Sequence, residues 1–228
     1  MALILNIDSS TTICSVALAK DGDILDIREN SEGLNHSQLL AVYVDEILKD
    51  NNYSVSDLDA IAISQGPGSY TGLRIGTSLA KGLCFGANLP LIAVPTLKAL
   101  ALGVALDTQK DALYCPMLDA RRMEVYTSFY NKKNETIVDT KAEIIDENSF
   151  SELLENNTIY FFGNGCNKVS NVIKSENAKF IFEIETSAKY LVKLSESMFH
   201  NNNFADIAYY EPFYLKDFIA TTPKKSLF

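Results

Sequence analysis

The chain opens on a nearly unbroken apolar run, ALILNI at residues 2–7, closed by Asp8 and four hydroxyl residues, Ser9 to Thr12. A continuous run of that length is the pattern of a strand covered on both faces. Residues 11–29 then alternate through Asp21-Gly22, a dipeptide that favours a tight hairpin turn. Three antiparallel neighbouring strands are therefore expected at the start. The period changes in NHSQLLAVYVDEILKDN, where Leu40, Tyr43, Val44 and Ile47 share one helical face. Asn35 is expected to cap this helix, with Gln38 completing a capping box. LDAIAISQ reads as a buried strand that runs into GPGSYTG, with a helix starting near Ser69 or Thr71. The strand LPLIAV and a helix in PTLKALALGVAL follow, so the order is β-β-β-α-β-α-β-α.

The second half loosely repeats this order. ALYCPMLDARRMEVYTSFYNKKNETIVDTKAEII gives three more strands, with a turn at Lys132–Glu135. TIYFFGNGC is a buried strand ending in glycines, and AKYLVKLSESMFH is a helix. Two halves with the same opening predict a duplicated α/β fold, each unit a mixed sheet flanked by helices. The units are expected at residues 1–104 and 105–228. No proline- or serine-rich linker separates them, so close packing is expected, with the tail free to return to the first unit.

Composition narrows the function. The 228 residues are 47% hydrophobic and 21% charged, enough for a sizeable core. The net charge of −9 argues against a chain that grips nucleic acid unaided. The four cysteines, Cys14, Cys84, Cys115 and Cys166, form no C-x-x-C pair, and only two histidines accompany them, which leaves a zinc site little to build on. No stretch approaches the roughly 18 apolar residues of a membrane span. The opening residues lack the basic region of a signal peptide, and a cytoplasmic location is expected.

Several positions could carry chemistry. The turn at Asp8, Ser9 and Ser10 offers backbone N–H groups and hydroxyls to a phosphate, and a carboxylate to a metal-bound water. Its plainer reading is a strand end capped by its own neighbours. Gly66-Pro67-Gly68 places a glycine turn before a helix N-terminus, either as an anion site or as a turn needing glycine for its backbone angles. In the helix that follows, Gly72, Gly76 and Ala80 step by four, as do Ser78, Gly82 and Gly86. Such rows suit the close approach of another backbone, from the same unit or from a partner. Arg74, Thr77 and Lys81 form a narrow polar stripe. The charged hairpin Asp119–Tyr126 reads as solvated surface, and Gly163-Asn164-Gly165 as a strand-end turn.

NIDSS, NHSQLL, QGPGSYTGLRIG, DARRMEVY, the GNG turn and EPFYLKDF, in that order, closely resemble the TsaB (YeaZ) family of tRNA threonylcarbamoyladenosine synthesis. The resemblance covers nearly the whole chain. It implies the actin-like ATPase fold of sugar kinases and Hsp70, with TsaD as the enzymatic relative. TsaD-like enzymes hold a catalytic metal through His-x-x-x-His. Thr96 and Leu100 stand at the aligned positions here, with Lys98 between them, so neither metal nor catalytic residues are expected. Neither His36 nor His200 is expected to replace them.

On that reading Asp8, Ser9, Ser10, Gly66, Gly68, Gly163 and Gly165 are vestigial phosphate or nucleotide loops. No cofactor is expected, with residual nucleotide binding left open. Basic and bulky residues after Asp119 stand where Gly-Thr would serve phosphoryl transfer.

The resemblance implies a non-catalytic partner that holds a TsaD-type subunit and lets a TsaE-type ATPase dock. The complex would modify N6 of adenosine 37 in tRNAs reading ANN codons, so that tRNA is met only through the complex. Alone, the chain would form a homodimer. By carry-over the contact falls on His36, Leu39, Leu40 and Tyr43 of the first helix. On the glycine helix it falls on Gly72, Arg74, Ile75, Gly76, Leu79, Ala80 and Leu83. The rivals are a small-molecule kinase, favoured by Asp8 and the glycine loop, and a metallopeptidase, opposed by two dispersed histidines.

Overall fold

Every residue of β1 (Leu3–Asp8) is buried, and the strand lies at the centre of a five-stranded sheet. The structure is a computed structural model and describes residues 2–32 and 35–216. The last two residues of EPFYLKDF lie outside the described residues. β1 pairs antiparallel with β2 (Cys14–Lys20), which pairs antiparallel with β3 (Asp23–Asn30). Asp21 and Gly22 between them take φ of 53° and 75°, the left-handed pair such a hairpin turn needs. On its other side β1 pairs parallel with β4 (Ala60–Gly66), and β4 with β5 (Leu91–Pro95).

The period of two along these strands decides what covers them. Leu5, Ile7, Ile61 and Ile63 face α1 (His36–Asp50) and α2 (Tyr70–Ala87), meeting Leu40, Ile47 and Ala80. Ile4, Ala62, Ile92 and Val94 face the opposite way, against Leu191 of α6 (Ala188–His200). Buried Asn6 is satisfied on that side, its Oδ1 accepting from Ser195 Oγ at 2.7 Å.

The second sheet repeats the plan. β6 (Leu113–Asp119), β7 (Glu124–Tyr130) and β8 (Thr136–Ile144) are antiparallel, and β9 (Ile159–Phe162) and β10 (Ala178–Ile181) extend the sheet in parallel beyond β6. The order β10-β9-β6-β7-β8 matches β5-β4-β1-β2-β3 strand for strand. One face packs Leu154 of α4 (Ser151–Asn156) and Val169 of α5 (Cys166–Ser170) against Cys115, Phe129 and Phe161. The other packs Tyr114, Leu118 and Phe162 against α3 (Thr96–Thr108).

Two helices therefore cross over. α3 follows β5 in sequence yet covers the second sheet, and α6 follows β10 yet covers the first. They meet at Gly103, where a Cβ would fall 2.2 Å from the Tyr190 ring. The expected division at residue 104 lies inside α3.

One local expectation needs correction. Asn35 makes no side-chain cap, because its φ of −101° and ψ of 17° lie outside the extended region a capping side chain uses. Its carbonyl serves the first turn instead, accepting from Gln38 and Leu39. The short elements α4, α5 and β10 were too brief to leave a period in the sequence. Among the described residues no helix is long and apolar enough to cross a membrane.

Candidate functional site

The β1–β2 turn closes on itself. Asp8 Oδ1 accepts from the Ser10 backbone N–H at 2.9 Å and from Ser10 Oγ at 2.7 Å, all of it buried. Burial pushes the Asp8 pKa above the ordinary carboxylate range, a shift that the bonds from Ser10 and Ser64 and the nearby His36 only partly offset. Ser9 donates its backbone N–H to Ser64 Oγ at 3.3 Å.

The glycine turn after β4 packs directly on this loop. A Cβ at Gly68 would lie 2.2 Å from Ser10 O, and Ser69 N–H donates to that oxygen. Gly66 has φ of +106°, and its N–H donates to Thr96 Oγ1 at 3.0 Å. Ser69 then caps α2, its Oγ accepting from Gly72 N–H at 3.2 Å. The second unit is built alike. Gly163, with φ of +98°, would place a Cβ 2.5 Å from Met117 O, the oxygen that accepts Gly165 N–H at 2.9 Å. Asn164 Oδ1 accepts from Asp119 N–H at 2.8 Å. The phosphate-loop candidates are thus brought together within each unit, where they bond to the turns and strand ends around them.

Between the units the same turns border a cleft of about 520 Å³. Ser10–Thr12 and Pro67–Thr71 line one side, Leu118–Arg121 and Asn164 the other, and Phe213–Lys216 a third. Arg121 and Arg122 turn the second hairpin with φ of 72° and 48°. Lys168 braces that hairpin, its Nζ donating to Asp119 Oδ1, Arg122 O and Glu124 O.

The positions aligned with a metal-binding pair are structural here. Thr96 receives the Gly66 bond and Leu100 is buried in the core around α3. Buried His36 donates from Nε2 to Ile13 O at 3.1 Å, and His200 pairs with Glu196. Among the described residues no three His, Cys, Asp or Glu side chains are grouped to hold a metal ion.

The expected partner face is divided by burial. Gly72 and Gly76 look inward, since a Cβ at either would lie 2.2 Å from Ser9, at its O and its Oγ respectively. Ala80, Leu40 and His36 are also buried, so these five pack the unit's interior. Leu39 and Tyr43 of α1 with Ile75, Leu79 and Leu83 of α2 remain half-buried, and Arg74 is exposed. Phe85, at 84% exposure, and Val42 were missed as apolar surface. Nothing lies within 4 Å of a Cβ built on Gly82 or Gly86. The second four-residue row held the signal, but spacing alone did not say which row faced out.

Two sheets of one plan, each with a turn-and-glycine loop at a shared cleft, define an actin-like two-unit protein. The family model for TsaD, tRNA N6-adenosine threonylcarbamoyltransferase, matches residues 32–224. The tRNA threonylcarbamoyladenosine biosynthesis protein TsaB of Haemophilus influenzae is 38% identical over 125 residues, 55% of this chain. The chain spans about half of that relative, 52% of its length. TsaB of Buchnera aphidicola subsp. Baizongia pistaciae is 30% identical over 199 residues, 84% of this chain and 87% of that protein. The solved structure of YeaZ from Pseudomonas aeruginosa superposes with a TM-score of 0.81 at 26% identity, covering 94% of this chain and all of that one. The chain belongs to the TsaB family, a relative of TsaD.

Proposed function

We propose that this chain acts in the synthesis of N6-threonylcarbamoyladenosine at position 37 of tRNAs reading ANN codons, as a non-catalytic subunit. It holds a TsaD-type catalytic subunit, and a TsaE-type ATPase docks on the pair. The observation that carries this reading is the outer face of α1 and α2. There Leu39, Tyr43, Ile75, Leu79 and Leu83 form a half-buried apolar band, and Gly82 and Gly86 leave α2 open to a second helix. Phe85 stands beside the glycines, almost fully exposed, as an aromatic anchor.

The closed loops support the non-catalytic part. Asp8 bonds into its own turn, and Ser10 O is taken up by the Ser69 N–H at the start of α2. The same band serves self-association when the partner is absent, and tRNA is met through the complex.

The test is formation of modified tRNA by a purified TsaD-type subunit and a TsaE-type ATPase, supplied with threonylcarbamoyl adenylate, ATP and tRNA, with and without this chain. Product is expected only when the chain is added. Product without it, or from it alone, contradicts the reading.

A further inference from the structure

After α6 the chain turns back over the first unit. Ala205 N–H donates to Leu91 O at 2.8 Å, on the outer edge of β5. Lys81 on α2 donates from Nζ to Tyr210 O at 3.1 Å, and the Tyr210 hydroxyl is enclosed. Phe213 N–H then donates to Gln65 O at 2.8 Å. Gly66 makes room for this passage, because a Cβ there would lie 2.8 Å from Phe213 O. Tyr214 packs on Tyr70 with ring centroids 4.9 Å apart. Lys216 finally reaches the second unit and pairs with Glu124 of β7. Leu215 and Lys216 share the cleft lining with Leu118 and Tyr126.

We propose that residues 205–216 form a releasable strap, anchored on the first unit by Tyr210, held against Tyr70 of the same unit by Tyr214 and latched across the cleft by Lys216, which sets how far the two units open. The anchor is half-buried with its hydroxyl enclosed, whereas Tyr214 and Lys216 are exposed, so the two ends differ in strength. A partly exposed ring pair and a partly exposed ion pair are individually weak contacts. The latch therefore releases by local opening, while the anchor and both sheets stay folded. Release frees the cleft walls at Pro67–Thr71 and Leu118–Arg121 together, because the strap lines the cleft beside both.

The test is a Tyr214→Ala, Lys216→Ala double variant of the full chain, compared with the unaltered protein by hydrogen exchange. Severalfold faster exchange is expected at Gly68–Thr71 and at Ala120–Arg122, with β1 and α6 unchanged. Spin labels on Lys49→Cys and Lys132→Cys, one per unit, are expected to show a broader distance distribution in the double variant. Glu124→Gln, which leaves the strap's own sequence intact, should broaden it in the same direction. Unchanged exchange in either turn, or unchanged distances, overturns the strap. Faster exchange throughout β1 also overturns it, since the segment would then belong to the core.

Discussion

Gly68 and Ser10 occupy each other's space: a Cβ on the glycine would lie 2.2 Å from the serine carbonyl oxygen, and that oxygen accepts the N–H of the next residue, Ser69, at 2.6 Å. Loops whose sequence suggests a grip on phosphate thus grip one another. The glycines further along α2 continue the contact, Gly72 and Gly76 lying against Ser9.

The two glycine rows of α2 should respond to substitution with opposite sign. Gly72→Ala drives a methyl group into Ser9 O and is expected to destabilise the fold by about 1–3 kcal/mol, as overpacking does. Gly82→Ala meets open space and is expected to stabilise by about 0.5–1 kcal/mol, the ordinary gain within a helix. Urea unfolding curves decide. Midpoints that move in the same direction would contradict the assignment of faces.

Asp8 gives a pH dependence with a definite sign. Its folded pKa lies above the unfolded value near 3.8, so the folded state binds the proton more tightly. The stability it contributes is complete below that value and is lost as pH rises through the folded pKa. Asp8→Asn keeps an oxygen for the Ser10 bonds and removes the buried charge. As pH rises above the unfolded value near 3.8, the variant should therefore gain stability relative to the unaltered protein. A disadvantage that grows with pH would show ionised Asp8 to be a favourable native group.

The four thiols should be unreactive until the fold opens. All are buried, and burial pushes Cys14 up to about 11 and Cys84 and Cys166 up to about 12, with Cys115 also raised. Thiolate is the reactive form, so little is available at neutral pH. A disulfide reagent is expected to titrate four thiols in denaturant and react only slowly with the native protein. A rapidly reacting native thiol would contradict the packing.

The order of strands and helices was legible because the central strands are covered on both faces and leave apolar runs, as in LILNI. The hairpin at Asp21-Gly22 was legible because its turn demands left-handed angles at both positions. The faces of α2 were not. Spacing groups Gly72, Gly76 and Ala80 into one row, but only Ser9 in the distant β1–β2 turn says that the row points inward. Nor could the crossing of α3 and α6 be read, since each follows one sheet in sequence and packs on the other. The strap was equally hidden: HNNNFADIAYYEPFY has no period, and backbone bonds at Ala205 and Phe213 place it.

The isolated chain should bind tRNA no better than an unrelated acidic protein. It carries 20 basic residues against 29 acidic ones, and Lys168 and Lys216 near the cleft are paired with Asp119 and Glu124. An excess of acidic residues repels the phosphate backbone rather than displacing its counterions. Filter binding over a range of salt concentrations checks this. Tight, salt-sensitive retention by the chain alone would contradict it.

The most direct test of the proposed role is titration calorimetry of a TsaD-type subunit with the Phe85→Glu variant and the unaltered chain, beside their melting curves. An exposed side chain adds nothing to the core, so the variant should melt like the unaltered protein. Loss of a central aromatic anchor is expected to cost about 2 kcal/mol or more, at least a tenfold weaker Kd. Equal affinity in a folded variant would contradict the assignment of the outer α1–α2 face as the partner surface.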